Sequence, residues 1–424
     1  MKIILSLLLI TSTAFAQYKN VKISSGSAFG GPSEPSITFS QTEPNVLVGG
    51  AILNEVFLSA DTGHTWETIQ LKSKYGVYGD PCIISDANGD FYYFHLSDPE
   101  GKGWASTQLL DRIVVQRSKN NGKRWSKGAS IGLDHPKDQD KEWAIADPST
   151  GNIYCTWTQF DLYDSKQAGD SSIILFSSSS NKGKSWSEPV RINDQAGLCL
   201  DNDSTAEGAV PAVGPNGEIY VAWSFDEKIY FNRSKNQGKT WLPKNKIVAR
   251  QPGGWTQDIP GINRCNGLPV TLCDISGGAN NGTIYINWTD QRRGANNTDV
   301  FVAKSTDGGE TFSDPIKVNS DDGEAQQFFT WMTIDQSTGH LYAVFYDRRN
   351  YNDNRTDVYL ATSSDGGETW TDEKISEEAF TPEDWVFFGD YTNITASNGK
   401  VRPIWTRYDA DKKELSIYTA IINK

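Results

Sequence analysis

Ser363-Ser364-Asp365-Gly366-Gly367-Glu368-Thr369-Trp370 is the stretch that decides the fold, because the chain repeats it. Near-copies run over Ser59–Trp66, Ser118–Trp125, Ser179–Trp186, Ser234–Trp241 and Ser305–Phe312, with Arg124 and Phe312 as the main departures. The copies begin 55 to 71 residues apart. Recurrence at a near-constant period means one supersecondary unit used many times. Within each copy an Asp or Asn folds its side chain back onto nearby backbone N–H groups, and the Gly two positions later permits a positive φ. A run of strand formers precedes each copy, as in Val56-Phe57-Leu58 and Val358-Tyr359-Leu360. The octapeptide is therefore a hairpin turn, architectural rather than catalytic.

Working outward from each turn gives the rest of a four-stranded unit. Seven short apolar segments read as first strands: Pro35–Phe39, Pro81–Ser85, Trp143–Asp147, Val210–Gly214, Pro269–Asp274, Trp331–Asp335 and Thr392–Ala396. Turn signals such as Asn88-Gly89 and Thr338-Gly339 follow. Seven second strands come next: Val46–Ala51, Phe91–His95, Ile153–Thr158, Ile219–Ser224, Ile284–Thr289, Leu341–Tyr346 and Val401–Thr406. Seven strand pairs meet only six octapeptides because the seventh unit ends with Leu415–Ile422, and Val21–Ser24 supplies its fourth strand. Closing the ring in this way leaves no sheet edge open. The expected fold is all-β, a seven-bladed propeller of four-stranded blades, with six blades the alternative.

The repeat is the Asp-box, and on these residues the chain resembles the sialidase (neuraminidase) superfamily of Asp-box, or BNR-repeat, β-propellers. The resemblance covers residues 17–424 as a single domain. It implies a carbohydrate-active protein, although Asp-box propellers include sialidases, other glycosidases, polysaccharide lyases and binders without activity.

Residues 1–16 read as a secretory signal peptide: Lys2, the apolar run Ile3–Ile10 and Ala14-x-Ala16 before Gln17. The expected protein is secreted, periplasmic or extracellular, and monomeric, with no membrane insertion. A net charge of −13 disfavours nucleic acid and anionic membranes as partners. Five cysteines invite one or two disulfides, with Cys199 and Cys265 the preferred pair because both fall in inter-blade loops. Four histidines and no CxxC spacing give no cofactor motif, and only an oxygen-ligand Ca²⁺ site in an acidic ring is conceivable.

In a propeller the loops leading into first strands and out of second strands share one face. The former carry Glu34, Asp80, Glu142, Glu207 and Asp390, an acidic inner ring. The latter carry Arg293, Arg349 and Arg407, expected as arms that clamp an acidic sugar. Their repetition as Asp-x-Arg-Arg equally suits ion pairs that stitch blades together. Tyr391-Thr392-Asn393-Ile394 is similar to the stretch holding the sialidase nucleophile, and Glu207 to that family's partner Glu, with Asp80 as a further acid/base carboxyl. The resemblance thus implies an exo-glycosidase acting on acidic glycans through Tyr391 and Glu207, and Asp80 is expected as a further catalytic carboxyl. Two departures stand out: Ser33-Glu34-Pro35 where the family has Arg-Ile-Pro, and no Arg near Trp223-Ser224. Two other classes fit the same face. One is lysis of uronate glycans by His95 or Tyr391 with the Arg arms. The other is glycan or protein binding on Trp104, Trp255, Phe328 and Trp385.

Overall fold

The computed structural model describes residues 18–424, so the signal-peptide segment lies outside the described residues. Seven four-stranded antiparallel sheets form the blades of a propeller, and a two-stranded ribbon joins Thr256–Gln257 to Cys265–Asn266. The six-bladed alternative is excluded. Blades 1 to 7 begin with inner strands Ser36–Phe39, Cys82–Ser85, Asp138–Ala146, Glu207–Val213, Val270–Cys273, Gln327–Asp335 and Asn393–Ser397. Their second strands are Leu47–Ala51, Phe91–Leu96, Ile153–Phe160, Ile219–Phe225, Ile284–Asp290, His340–Asp347 and Lys400–Asp409.

Second strands lose their alternation of apolar and polar residues because each is covered on both faces by neighbouring blades. Phe91–Leu96 and Ile153–Phe160 are buried at every position. The apolar clusters follow the ring: Tyr154, Phe176, Ala209 and Val213 pack blade 3 on blade 4, and Ala212, Phe231, Ile286 and Phe301 pack blade 4 on blade 5. Fourth strands such as Glu67–Gln70 and Val190–Arg191 are short and polar, which blunts the outer edge.

The ring closes through Lys19–Ser27, which pairs antiparallel with Glu414–Asn423 from Lys19 opposite Ile421 to Ser27 opposite Glu414. Ile23, Ile37, Phe57, Ile404 and Ile417 share one cluster across this junction. The octapeptides hold their turns as a repeated unit: Ser59 Oγ accepts from Gly63 N at 2.9 Å, and Asp61 accepts from Thr65 N and Oγ1 at 2.9 and 2.6 Å. Gly63 has φ +90°, which a side chain would strain.

The expected Cys199–Cys265 disulfide is not formed, and all five cysteines are buried free thiols. The two sit against different parts of the ring. Cys199 lies beside Asp161 and Leu162 of blade 3, whereas Cys265 is in the cluster that joins blades 6 and 7.

Candidate functional site

The loops leading into the inner strands bring their acids to the axis through a shared backbone device. Glu34, Asp80 and Lys141 each take a left-handed φ of 54°, 48° and 52°, and Gly208, Phe329 and Gly389 do the same in later blades. In blades 3, 4 and 6 the inner strand also carries a bulge, between Asp140 and Trp143, Glu207 and Val210, and Phe328 and Trp331. Such bulges re-aim side chains at rims and sites. Strand three of each blade runs back from this face, so the octapeptide turns lie on the opposite one.

A pocket of about 360 Å³ opens here, lined by Glu34, Tyr78, Asp80, Trp104, Asp140, Lys141, Tyr163, Arg264, Phe387 and Asp390. At its floor the buried Lys141 ammonium contacts Asp390 and lies 3.5 Å from Asp80. Arg264 Nε is 3.2 Å from the other oxygen of Asp390, and its two terminal nitrogens donate to Asp201 at 2.7 and 3.1 Å. Tyr163 donates its hydroxyl proton to Asp201 at 2.6 Å. One wall is aromatic: Trp104, two-thirds exposed, sits 5.4 Å from the Tyr163 ring and edge-on to Tyr78 at 6.3 Å.

The electrostatics divide the acids into two kinds. Burial, with like charges nearby, pushes Glu34, Glu142 and Glu207 well above the usual carboxylate range and Asp140 to about 8. Of these, Asp140 keeps its proton at neutral pH. Burial would also raise Asp390, but Arg264 and Lys141 hold it below its ordinary value. Lys141 and Arg264 stay charged because their acid partners outweigh the burial. Both carboxyl oxygens of Glu142 and of Glu207 are buried without a hydrogen-bond partner among the described residues.

Tyr391 lies just beneath this cluster. Its ring packs edge-on against Trp143 at 5.0 Å and beside Trp331 at 6.1 Å, with the Lys141 ammonium 5.9 Å from its centre. Its hydroxyl is buried and makes no hydrogen bond among the described residues. Burial raises its ionisation, followed by the charges of Asp80, Glu34, Glu142 and Asp390. Lys141 and Asp390 border both the open pocket and the small cavity beside Tyr391.

The expected arginine clamp does not form. Arg349 is spent on Asp347 at 2.8 Å and Asp372 at 2.7 Å, Arg407 on Glu378 at 2.9 Å, and Arg293 lies 3.8 Å from Asp299. These are ties within or between the rims of blades 5 to 7. The axial cations are instead Lys141 and Arg264. His95 is also absent from the pocket lining: it is fully buried, held by Leu96 O at 2.6 Å and Gln116 at 3.3 Å, and burial lowers it to about 4. Of the aromatic platforms, Trp255 and Phe328 are core residues, while Trp385 stacks on Phe29 at 5.1 Å. Among the described residues no group of three or more His, Cys, Asp or Glu is arranged to hold a metal ion.

No protein-family model matches the chain, and no curated protein sequence is similar to it. Solved structures are similar in fold. An ulvan lyase of polysaccharide lyase family PL25 superposes with TM-score 0.56 at 13% identity, covering 96% of each chain. The intramolecular trans-sialidase from Ruminococcus gnavus gives 0.51 at 11% identity, over 82% of this chain and 95% of that one. The NanB sialidase from Streptococcus pneumoniae gives 0.50 at 11% identity, over 81% and 68%. In fold, the chain is a sialidase-like seven-bladed β-propeller.

Proposed function

We propose that the chain is an exported, carbohydrate-active protein that binds an acidic sugar in the axial pocket and hydrolyses its glycosidic bond. The observation that carries this reading is the pocket floor. The buried Lys141 ammonium, the partly exposed Arg264 guanidinium and carboxyls whose ionisation burial raises converge beneath an aromatic wall, an expensive arrangement that packing alone does not require. Trp104 and Tyr163 suit the apolar face of a sugar ring, and Arg264 suits its carboxylate. In this scheme Asp140, protonated with its ionisation near 8, donates a proton to the leaving oxygen. Tyr391, whose hydroxyl lies buried beside the pocket floor, attacks the anomeric carbon once the floor opens to the sugar, Asp80 accepts its proton, and water then releases the sugar. A phenol attacks an anionic sugar without the repulsion a carboxylate would meet.

A second reading, uronate lysis, rests on one specific contact: Tyr163 hydrogen-bonded to Asp201 with Arg264 alongside. There Arg264 would neutralise the uronate carboxylate, Tyr163 would take the adjacent proton as it passes its own hydroxyl proton to Asp201, and the glycosidic bond would break with Asp140 protonating the leaving oxygen. The deciding experiment incubates purified protein with sialosides, uronate polysaccharides and neutral glycans and follows products. Free acidic monosaccharide supports hydrolysis, ultraviolet absorbance of an unsaturated uronate supports lysis, and no product from any glycan refutes both.

A further inference from the structure

On the opposite face a second cavity, of about 610 Å³, lies between the octapeptide turns of blades 2 and 3. Its lining is unusual for a chain of net charge −13: Arg117, Lys119, Arg124, Lys127, Lys182 and Lys184, with the rings of Tyr92 and Trp125. Two of these cations have structural partners, since Arg117 contacts Asp90, and Lys182 lies 3.4 Å from Asp90 and 4.0 Å from Asp86. Lys119, Arg124, Lys127 and Lys184 are exposed and have no ion-pair partner among the described residues.

The repeat itself shows that the turn does not require these charges. One equivalent position is Glu310 in blade 5 and Glu368 in blade 6 but Lys184 in blade 3. The glutamates are used structurally: Glu310 binds Arg233 and Lys246, and Glu368 binds Lys304 at 2.6 Å. Lys184 has no such acid. Arg124 stands where four other copies have Thr, and in three of those, Thr65, Thr311 and Thr369, the hydroxyl donates to the turn Asp. In blades 2 and 3 that Asp is Asn120 and Asn181, which removes the turn's own negative charge.

We propose that this groove is a second binding site, distinct from the axial pocket, for the anionic substituents of an acidic polysaccharide. The partly exposed Trp125 ring framed by unpaired cations matches a sugar carrying a carboxylate or a sulfate ester: the ring takes the apolar face and the cations the charge. A nucleic-acid duplex is disfavoured by the chain's overall charge of −13. The site stands independently of the chemistry at the axis.

The test is equilibrium binding of three size-matched oligosaccharides, one uronate, one sulfated and one neutral, with a short DNA duplex as control. The proteins are wild type, the triple variant Lys119→Ala, Arg124→Thr, Lys184→Glu, and the axial variant Asp80→Asn. The expected result is salt-sensitive binding of one or both anionic sugars that weakens by about tenfold or more in the triple variant. The axial variant should retain this binding, and the uronate and sulfated arms tell which substituent is read. Arg124→Thr restores the residue of other copies, so melting should be unchanged. Equal binding of the neutral sugar or the duplex, no binding by wild type, or undiminished binding by a folded triple variant would overturn the proposal.

Discussion

Replacing Lys141 by Met tests the electrostatic core of the site. The ammonium is buried, in contact with Asp390 and 3.5 Å from Asp80. At an effective dielectric constant of about 20, a pair at that distance attracts with roughly 5 kcal/mol before desolvation is subtracted. Removing one partner of a buried pair typically costs about 3–5 kcal/mol, mostly because the other charge is left uncompensated. Asp390 keeps Arg264 at 3.2 Å, so the low end, about 3 kcal/mol at pH 8, is expected. In the variant, Asp390 loses the ammonium that helps hold its carboxyl below its ordinary value, so burial raises its ionisation. A raised carboxyl contributes stability below its unfolded value that is lost as pH rises. The gap between variant and wild type should therefore shrink toward pH 5. Urea unfolding of both proteins at pH 5 and pH 8 measures it. A loss below about 1 kcal/mol, or one identical at the two pH values, would refute the reasoning.

Three further outcomes are expected. Asp140→Asn should flatten the fall in stability with rising pH between about 4 and 8, because wild-type Asp140 titrates near 8 in the fold and near 4 when unfolded; matching pH–stability curves would argue against a buried acid. Tyr391→Phe should change stability by less than about 1 kcal/mol, since the hydroxyl makes no hydrogen bond, while turnover on a cleaved glycan falls by several orders of magnitude; an active folded variant removes Tyr391 from the mechanism. Deleting Lys19–Ser27 strips blade 7 of its outer strand and uncovers Ile417 and Ile404, so thermal unfolding should lose its cooperativity or shift markedly down, and an unchanged melt would contradict strand closure.

The octapeptides made the fold legible because each carries its own local turn chemistry, and the period carries the rest. The acids of the axial ring were legible for the same reason, since each precedes a recognisable inner strand. Lys141 was harder. The bulge between Asp140 and Trp143 inserts a residue that breaks alternation, so sequence parity cannot say which of Asp140, Lys141 and Glu142 turns inward. The arginines misled because nearby acids capture them, Asp347 taking Arg349 two residues on and Glu378 taking Arg407, local pairings that compete with a ligand. Arg264, Asp201 and Tyr163 lie in long loops without periodic pattern, where length was the only signal. Their meeting over the axis depends on the ring, which no local stretch encodes.

The most direct test of the axial site is a crystal of the protein soaked with an acidic monosaccharide. The account predicts a sugar ring against Trp104, with its carboxylate within hydrogen-bond reach of Arg264. A ring bound only elsewhere, or an axial pocket that stays without sugar at saturating concentration, would contradict it.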